Sequence, residues 1–159
     1  MRKPVLVPLL CAVTLLTLTV ARSSAENGSA AGLWKTIDDK THKPKSIVRL
    51  WEVDGELRGK VERTFPEPGE DPDPVCDKCP GDKHNQRVIG MEFLWGFHRD
   101  GDDWVDGHVL DPDNGKTYHA TIRMVDGGRR LQLYGYIKVL IKIGRSQTWE
   151  RASEADLSN

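Results

Sequence analysis

An antiparallel, all-β fold is predicted by three features of this chain. Short runs of alternating polar and apolar residues recur roughly every 10 to 15 residues, Gly-containing turn signals separate them, and no long segment carries a helical period. About eight such runs are expected to close as an up-and-down β-barrel. Tight sequential hairpins favour that meander over the Greek-key crossings of the alternative, a β-sandwich.

The first 25 residues read as a secretory signal. Arg2 and Lys3 form a basic start, Val5 to Val20 is an apolar run, and Ser23-Ser24-Ala25 offers small residues for cleavage after Ala25. Pro4, Pro8 and several threonines make the run a poor membrane anchor, and Cys11 leaves with it. The expected organisation is a signal over 1–25, a flexible lead over 26–31, one barrel domain over 32–151 and a tail over 152–159. Removing Arg2, Lys3 and Arg22 leaves 20 basic against 24 acidic residues, a balance of −4. That charge, with no basic run interleaved by aromatics, argues against a nucleic-acid partner.

Turn chemistry sets the register of each hairpin. A first strand is expected over Gly32 to Ile37. Asp54-Gly55 then closes a hairpin with Val48 facing Val61 and Leu50 facing Gly59 inside, and Trp51 facing Arg58 outside. The run from Val88 to His98 puts Ile89, Met91, Phe93, Trp95 and Phe97 on one face. Read as a three-residue loop, Asp100-Gly101-Asp102 sets Phe97 opposite Val105 and Trp95 opposite Gly107.

Asn114-Gly115 is a strong two-residue turn signal, because both of its central positions need φ > 0. It predicts Val105 facing Met124, Gly107 facing Ile122, Val109 facing Ala120 and Asp111 facing Tyr118 inside. Asp106 with Arg123, His108 with Thr121 and Leu110 with His119 fall outside. Gly127-Gly128 pairs Met124 with Leu131, Ile122 with Leu133, Ala120 with Gly135 and Tyr118 with Ile137. The two turns agree on which face of the shared strand is inside, an agreement that a one-residue slip would destroy. The last strand is placed over Gly144 to Arg151, and no clear turn signal precedes it.

Cys76 and Cys79 lie in a loop spanning 65–87, and three readings of the pair stay open. In an oxidising compartment neighbouring thiols join, giving a loop staple. A redox site would want the helix N-terminus and βαβ setting that this chain lacks. A zinc site would want four ligands, and only His84 or Asp82 are near in sequence. Glu67, Glu70, Asp71 and Asp73 lack the spacing of a calcium loop. His108 and His119 share an outward face. There is no G-x-S-x-G and no Ser/His/Asp set, so no catalytic residues and no cofactor are expected. Asp106 with Arg123 reads as a surface ion pair. Asp111 and Tyr118 read as an inward polar pair that Arg145 and Gln147 could satisfy.

Gly32-Leu33-Trp34-Lys35, Cys76-Asp77-Lys78-Cys79-Pro80-Gly81-Asp82-Lys83 before Gly90-Met91, Asp111-Pro112-Asp113-Asn114-Gly115-Lys116-Thr117-Tyr118, Gly135-Tyr136 and Gly144-Arg145-Ser146-Gln147-Thr148-Trp149-Glu150-Arg151 occur in this order. Together they resemble the bacterial exported family known as domain of unknown function 2147. The resemblance implies a periplasmic or secreted protein with a calycin-like barrel, and it implies no activity. Gly32-x-Trp34 with a late Arg145 or Arg151 is also similar to lipocalins, which implies a Trp34–Arg151 stack plugging one barrel end.

The function expected on these grounds is non-catalytic binding of a small apolar or amphipathic molecule in the barrel lumen. Met91, Trp95, Tyr118, Ile122 and Leu133 would line that lumen, with Asp111 and Arg145 fixing orientation. The alternatives are an envelope-protein interaction module using loop 65–87 and Trp51, and thiol or zinc chemistry at Cys76/Cys79.

Overall fold

In the computed structural model, residues 29–138 and 142–158 are described. The signal segment lies outside the described residues. Eight antiparallel strands form a closed barrel in sequence order: β1 (Gly32–Ile37), β2 (Pro44–Val53), β3 (Glu56–Thr64), β4 (Glu92–Asp100), β5 (Asp103–Asp111), β6 (Lys116–Val125), β7 (Arg130–Lys138) and β8 (Lys142–Ala152). The β1–β8 seam closes it through Leu33–Ala152, Trp34–Arg151 and Lys35–Glu150. No helix among the described residues is long and apolar enough to cross a membrane.

Two hairpins have the expected register. Val48–Val61, Leu50–Gly59 and Trp51–Arg58 pair across Asp54-Gly55, and Met124–Leu131, Ile122–Leu133 and Ala120–Gly135 pair across the glycine turn. The β5–β6 turn is longer than expected. Asp111 pairs with Lys116 and Val109 with Tyr118, two residues from the predicted register. A two-residue shift preserves the period of two, so Gly107, Val109, Ala120 and Ile122 keep the inward face expected of them, whereas Leu110, expected outside, is buried at 2% exposure.

The β4–β5 register differs by one residue. Asp100 pairs with Asp103, so the turn holds two residues and Trp95 pairs with His108 instead of Gly107. A one-residue shift exchanges faces, and Trp95 falls outside. Two left-handed residues then restore the inward row: Gly96 (φ 77) in β4 and Asp106 (φ 58) in β5. Phe97 therefore turns back inward, where a Cβ on Gly107 would overlap its ring. The Asp106 irregularity also brings Trp104, not Val105, into the core at 1% exposure. The same shift hands Arg123 to Asp103, at 2.8 and 2.6 Å, in place of Asp106.

The short C-terminal helix α1 (Ala155–Ser158) docks outside the barrel. Lys35 donates to Asp156 at 2.9 Å and Arg63 to the Asp156 carbonyl at 3.1 Å. Both flank Ile47 in the register, and Ile47 is fully buried.

Candidate binding site

The barrel is sealed at the end where β1 begins and β8 finishes. Trp34 is fully buried and donates from Nε1 to the Ala30 carbonyl at 2.8 Å. The Arg151 guanidinium lies over its ring, 4.2 Å from the centroid, and donates to the carbonyls of Gly128 and Ser29 at 2.9 Å each. Ser29–Ala31 is thus tied into the seal, and Ala30 is fully buried.

Loop 65–87 stoppers the opposite end. Of the three readings of Cys76 and Cys79, the disulfide staple is the one present; its cysteines are 0% and 3% exposed and belong to the main core cluster. Cys76 N–H donates to Gln86, Val88 N–H to Pro74 and Gly90 N–H to Val61, which fold the loop into a compact stopper. Cys76 Sγ lies 3.4 Å from the Pro112 carbonyl oxygen, and Lys78 Nζ donates to the Asp113 carbonyl at 2.9 Å. The β5–β6 turn reaches on to Lys45 of β2, which binds Asp113 at 2.6 Å. The loop acids serve partly as tethers: Glu67 pairs with Lys43 and Asp73 with Arg87. Removing the staple with Cys76→Ala/Cys79→Ala is expected to cost about 2–4 kcal/mol. A urea midpoint lowered in the variant, and lowered equally in the reduced parent chain, is the outcome to look for.

Between the seals the lumen is packed. Leu50, Leu57, Met91, Leu94, Ile122 and Leu131 are at most 1% exposed, with Phe97, Trp104 and Trp149 among them. Of the seven residues expected to form a lumen site, Met91, Ile122 and Leu133 are core residues packed against neighbours. Trp95 stands outside, for the register reason given above. Asp111 is consumed by its own turn: it accepts from Asp113 N–H at 3.0 Å and Asn114 Nδ2 at 2.9 Å, while Asn114 Nδ2 also donates to the Tyr118 hydroxyl at 3.1 Å. The longer turn separated Asp111 from Tyr118, so they form no inward pair. Arg145 is 69% exposed and faces Asp39 at 3.5 Å.

Outside, the barrel surface divides in two. Over β1–β4 it is laced with ion pairs: Arg49 with Glu62 and Glu154, Arg58 with Glu56 and Glu92, and Lys60 with Glu62. Over β4–β7 an aromatic row crosses the strands. Trp95 stacks on His108 at 5.8 Å, His108 meets His119 at 5.1 Å, His119 stacks on Tyr136 at 5.7 Å, and Tyr136 on Tyr134 at 5.5 Å. His108 and His119 are direct cross-strand partners, not diagonal ones. Among the described residues no three His, Cys, Asp or Glu side chains converge to hold a metal.

Burial holds the His119 pKa below the ordinary imidazole value, and the charges of Lys138 and His108 add to this against an opposing pull from Asp106. A lowered folded pKa means that the unfolded chain takes the proton first. Stability is therefore fully present above about pH 6.5 and falls as pH drops through the folded value. A melting temperature that declines from neutral pH toward pH 5, with a smaller decline in His119→Gln, is expected.

The row ends beside a cleft of about 240 Å³ lined by Thr121, Arg123, Gln132, Tyr134 and Ser146. Thr121, Tyr134 and Ser146 are in register across three strands, as are Arg123, Gln132 and Thr148. The Tyr134 ring is seated over Gly144, where a Cβ would come within 2.9 Å of Cζ. A second cleft, about 410 Å³, lies by the terminal seal and includes Arg49, Arg151 and Glu154. Its guanidinium groups are engaged, Arg151 by the seal carbonyls and Arg49 by Glu62 and Glu154. The outer cleft had no signature in the sequence reading beyond the alternation that put Thr121 outside.

Residues 32–151 match the family described as "Uncharacterized protein conserved in bacteria (DUF2147)". The chain belongs to this family. For DUF2147 in this chain, the matched span runs from the first strand to Arg151, both halves of the Trp34 seal included. No curated protein matches the chain. Among solved structures it is similar to protein HP1028 from Helicobacter pylori, described as belonging to the lipocalin family. That likeness has a TM-score of 0.68 at 20% identity, covering 82% of this chain and 87% of the other. It gives this DUF2147 member a lipocalin-like fold.

Proposed function

We propose that this protein is an exported, non-catalytic binding protein whose barrel is a filled scaffold and whose ligand is held on the outer surface. One observation carries this reading: the lumen is packed with buried side chains from the Trp34 seal to the disulfide stopper, while the concave polar surface lies outside. The expected apolar lumen ligand would have to displace both a stopper and a packed core, and close-packed interiors do not yield such space cheaply. Export is part of the same proposal and is supported by the basic, apolar and small-residue order of residues 1–25.

Native mass spectrometry of protein purified from its own cell envelope tests both points. The expected species starts near Glu26, carries the two-dalton deficit of the disulfide and holds no apolar adduct. N-phenyl-1-naphthylamine should show no saturable fluorescence gain on the folded protein. A stoichiometric apolar adduct, or saturable dye binding, would return the ligand to the lumen; an uncleaved N-terminus would overturn export.

A further inference from the structure

Resting on the reading of an external site, we infer that the outer cleft of β6–β8 binds one ring of a neutral, polyhydroxylated ligand, an oligosaccharide. The chemistry of the lining points to that class. Thr121, Ser146 and the Tyr134 hydroxyl can each donate and accept, and Gln132 adds an amide with both functions. A sugar ring presents the same mixed character at its edges. The cation at the rim does not call for an anionic ligand, because Arg123 is held by Asp103 in two hydrogen bonds of 2.8 and 2.6 Å. The chain is 30% charged, and the neighbouring β1–β4 surface is covered in ion pairs. A patch built from hydroxyl, amide and phenol groups is therefore a local departure in composition.

Tyr134 supplies the other half of sugar recognition, an aromatic platform for the apolar C–H face of the ring. It is held in place on two sides, stacked on Tyr136 at 5.5 Å and seated over Gly144. Tyr136 in turn stacks on His119, so the platform is the end of a braced row rather than a loose side chain. A rigid platform loses little conformational entropy on binding. The cleft, about 240 Å³, falls below the range of about 300–1,000 Å³ that encloses a drug-sized molecule. That size suits a surface subsite gripping one unit of a longer chain, with weak affinity per unit.

The test is an amide-resolved NMR titration of the mature protein with two probes, an N-acetylglucosamine tetramer and maltotetraose. Saturable shifts confined to Thr121, Arg123, Gln132, Tyr134 and Ser146 with either probe are expected, and the probe that binds tells whether an acetamido group is read. Tyr134→Phe keeps the ring and loses one hydroxyl partner, so it should weaken binding by only about twofold to threefold, whereas Tyr134→Ala should weaken it by about tenfold. Gln132 is exposed, so Gln132→Ala leaves the fold intact and should weaken binding by several-fold. No saturable shift with either probe, or undiminished binding in both alanine variants, would overturn the ligand class while leaving external binding to the dye and mass measurements. Shifts centred instead on inward residues such as Ile122, Leu133 and Phe97 would overturn the external reading and this inference together.

Discussion

Trp34→Ala is expected to destabilise the protein by about 3–5 kcal/mol, the range for truncating a fully buried tryptophan. The change removes the largest side chain of the terminal seal, the 2.8 Å hydrogen bond that anchors Ala30, and the ring on which Arg151 lies at 4.2 Å. Arg151 would keep its carbonyl partners at Gly128 and Ser29 but would cover a cavity. Trp34→Phe keeps an aromatic face and loses the N–H donor, so a cost nearer about 1 kcal/mol is expected. Urea unfolding separates these cases, because a lower midpoint at unchanged slope reports stability alone. A Trp34→Ala cost below that of Trp34→Phe would mean that the seal is not where the barrel gains its closure.

Gly115→Ala is expected to unseat the disulfide stopper. Gly115 has φ 70, and a Cβ there would overlap the backbone carbonyl of Lys78, between the two cysteines. Left-handed backbone costs a residue with a Cβ about 1–2 kcal/mol. Overlap with backbone, which cannot rotate away, adds about 1–3 kcal/mol of overpacking. Gly127→Ala is the control, since Gly127 has φ 64 and open space around its Cβ position. The difference between the two variants isolates the contact between the β5–β6 turn and the loop. Faster reduction of the disulfide by dithiothreitol in Gly115→Ala, and not in Gly127→Ala, is the expected signature. Equal reduction rates would show that the turn does not hold the stopper. If N-phenyl-1-naphthylamine binds Gly115→Ala alone, the stopper is what closes the barrel interior to apolar molecules.

The parts of the fold legible in the sequence are those governed by local chemistry. Asp54-Gly55 and Gly127-Gly128 have positive φ at the turn, and their hairpins came out in register because turn geometry and alternation agreed. The β5–β6 error was harmless, since a slip of two residues leaves faces unchanged. The β4–β5 error was not. A turn one residue shorter moved Trp95 outside, and the left-handed Gly96 and Asp106 admitted Phe97 and Trp104 in compensation. Nothing in a run of alternating residues marks where a strand will bulge. A glycine such as Gly96 hints at it, and Asp106 does not.

The candidate site was hidden for the same reason. Its lining comes from β6, β7 and β8, and no two of Thr121, Gln132 and Ser146 are near in sequence. Alternation shows that such residues face outward, but not that they meet around Tyr134. The Cys76/Cys79 pair is the reverse case, conspicuous in sequence, where three readings of it stayed open. Its spacing does not tell that the pair is joined and buried in the barrel core, which depends on how loop 65–87 folds back over the barrel end.

Alternation and turn residues were sufficient for the eight-stranded barrel and its strand order, because these depend on periodicities a few residues long, while the family and the Trp34–Arg151 seal were legible only through the resemblance of ordered motifs. Tertiary structure alone decided that the lumen is full, that the disulfide is a stopper and that a neutral cleft lies outside. Those outcomes depend on volume and on contacts between distant strands: whether inward side chains fill a barrel of this size, and which loop has the reach and the turn partner to close it.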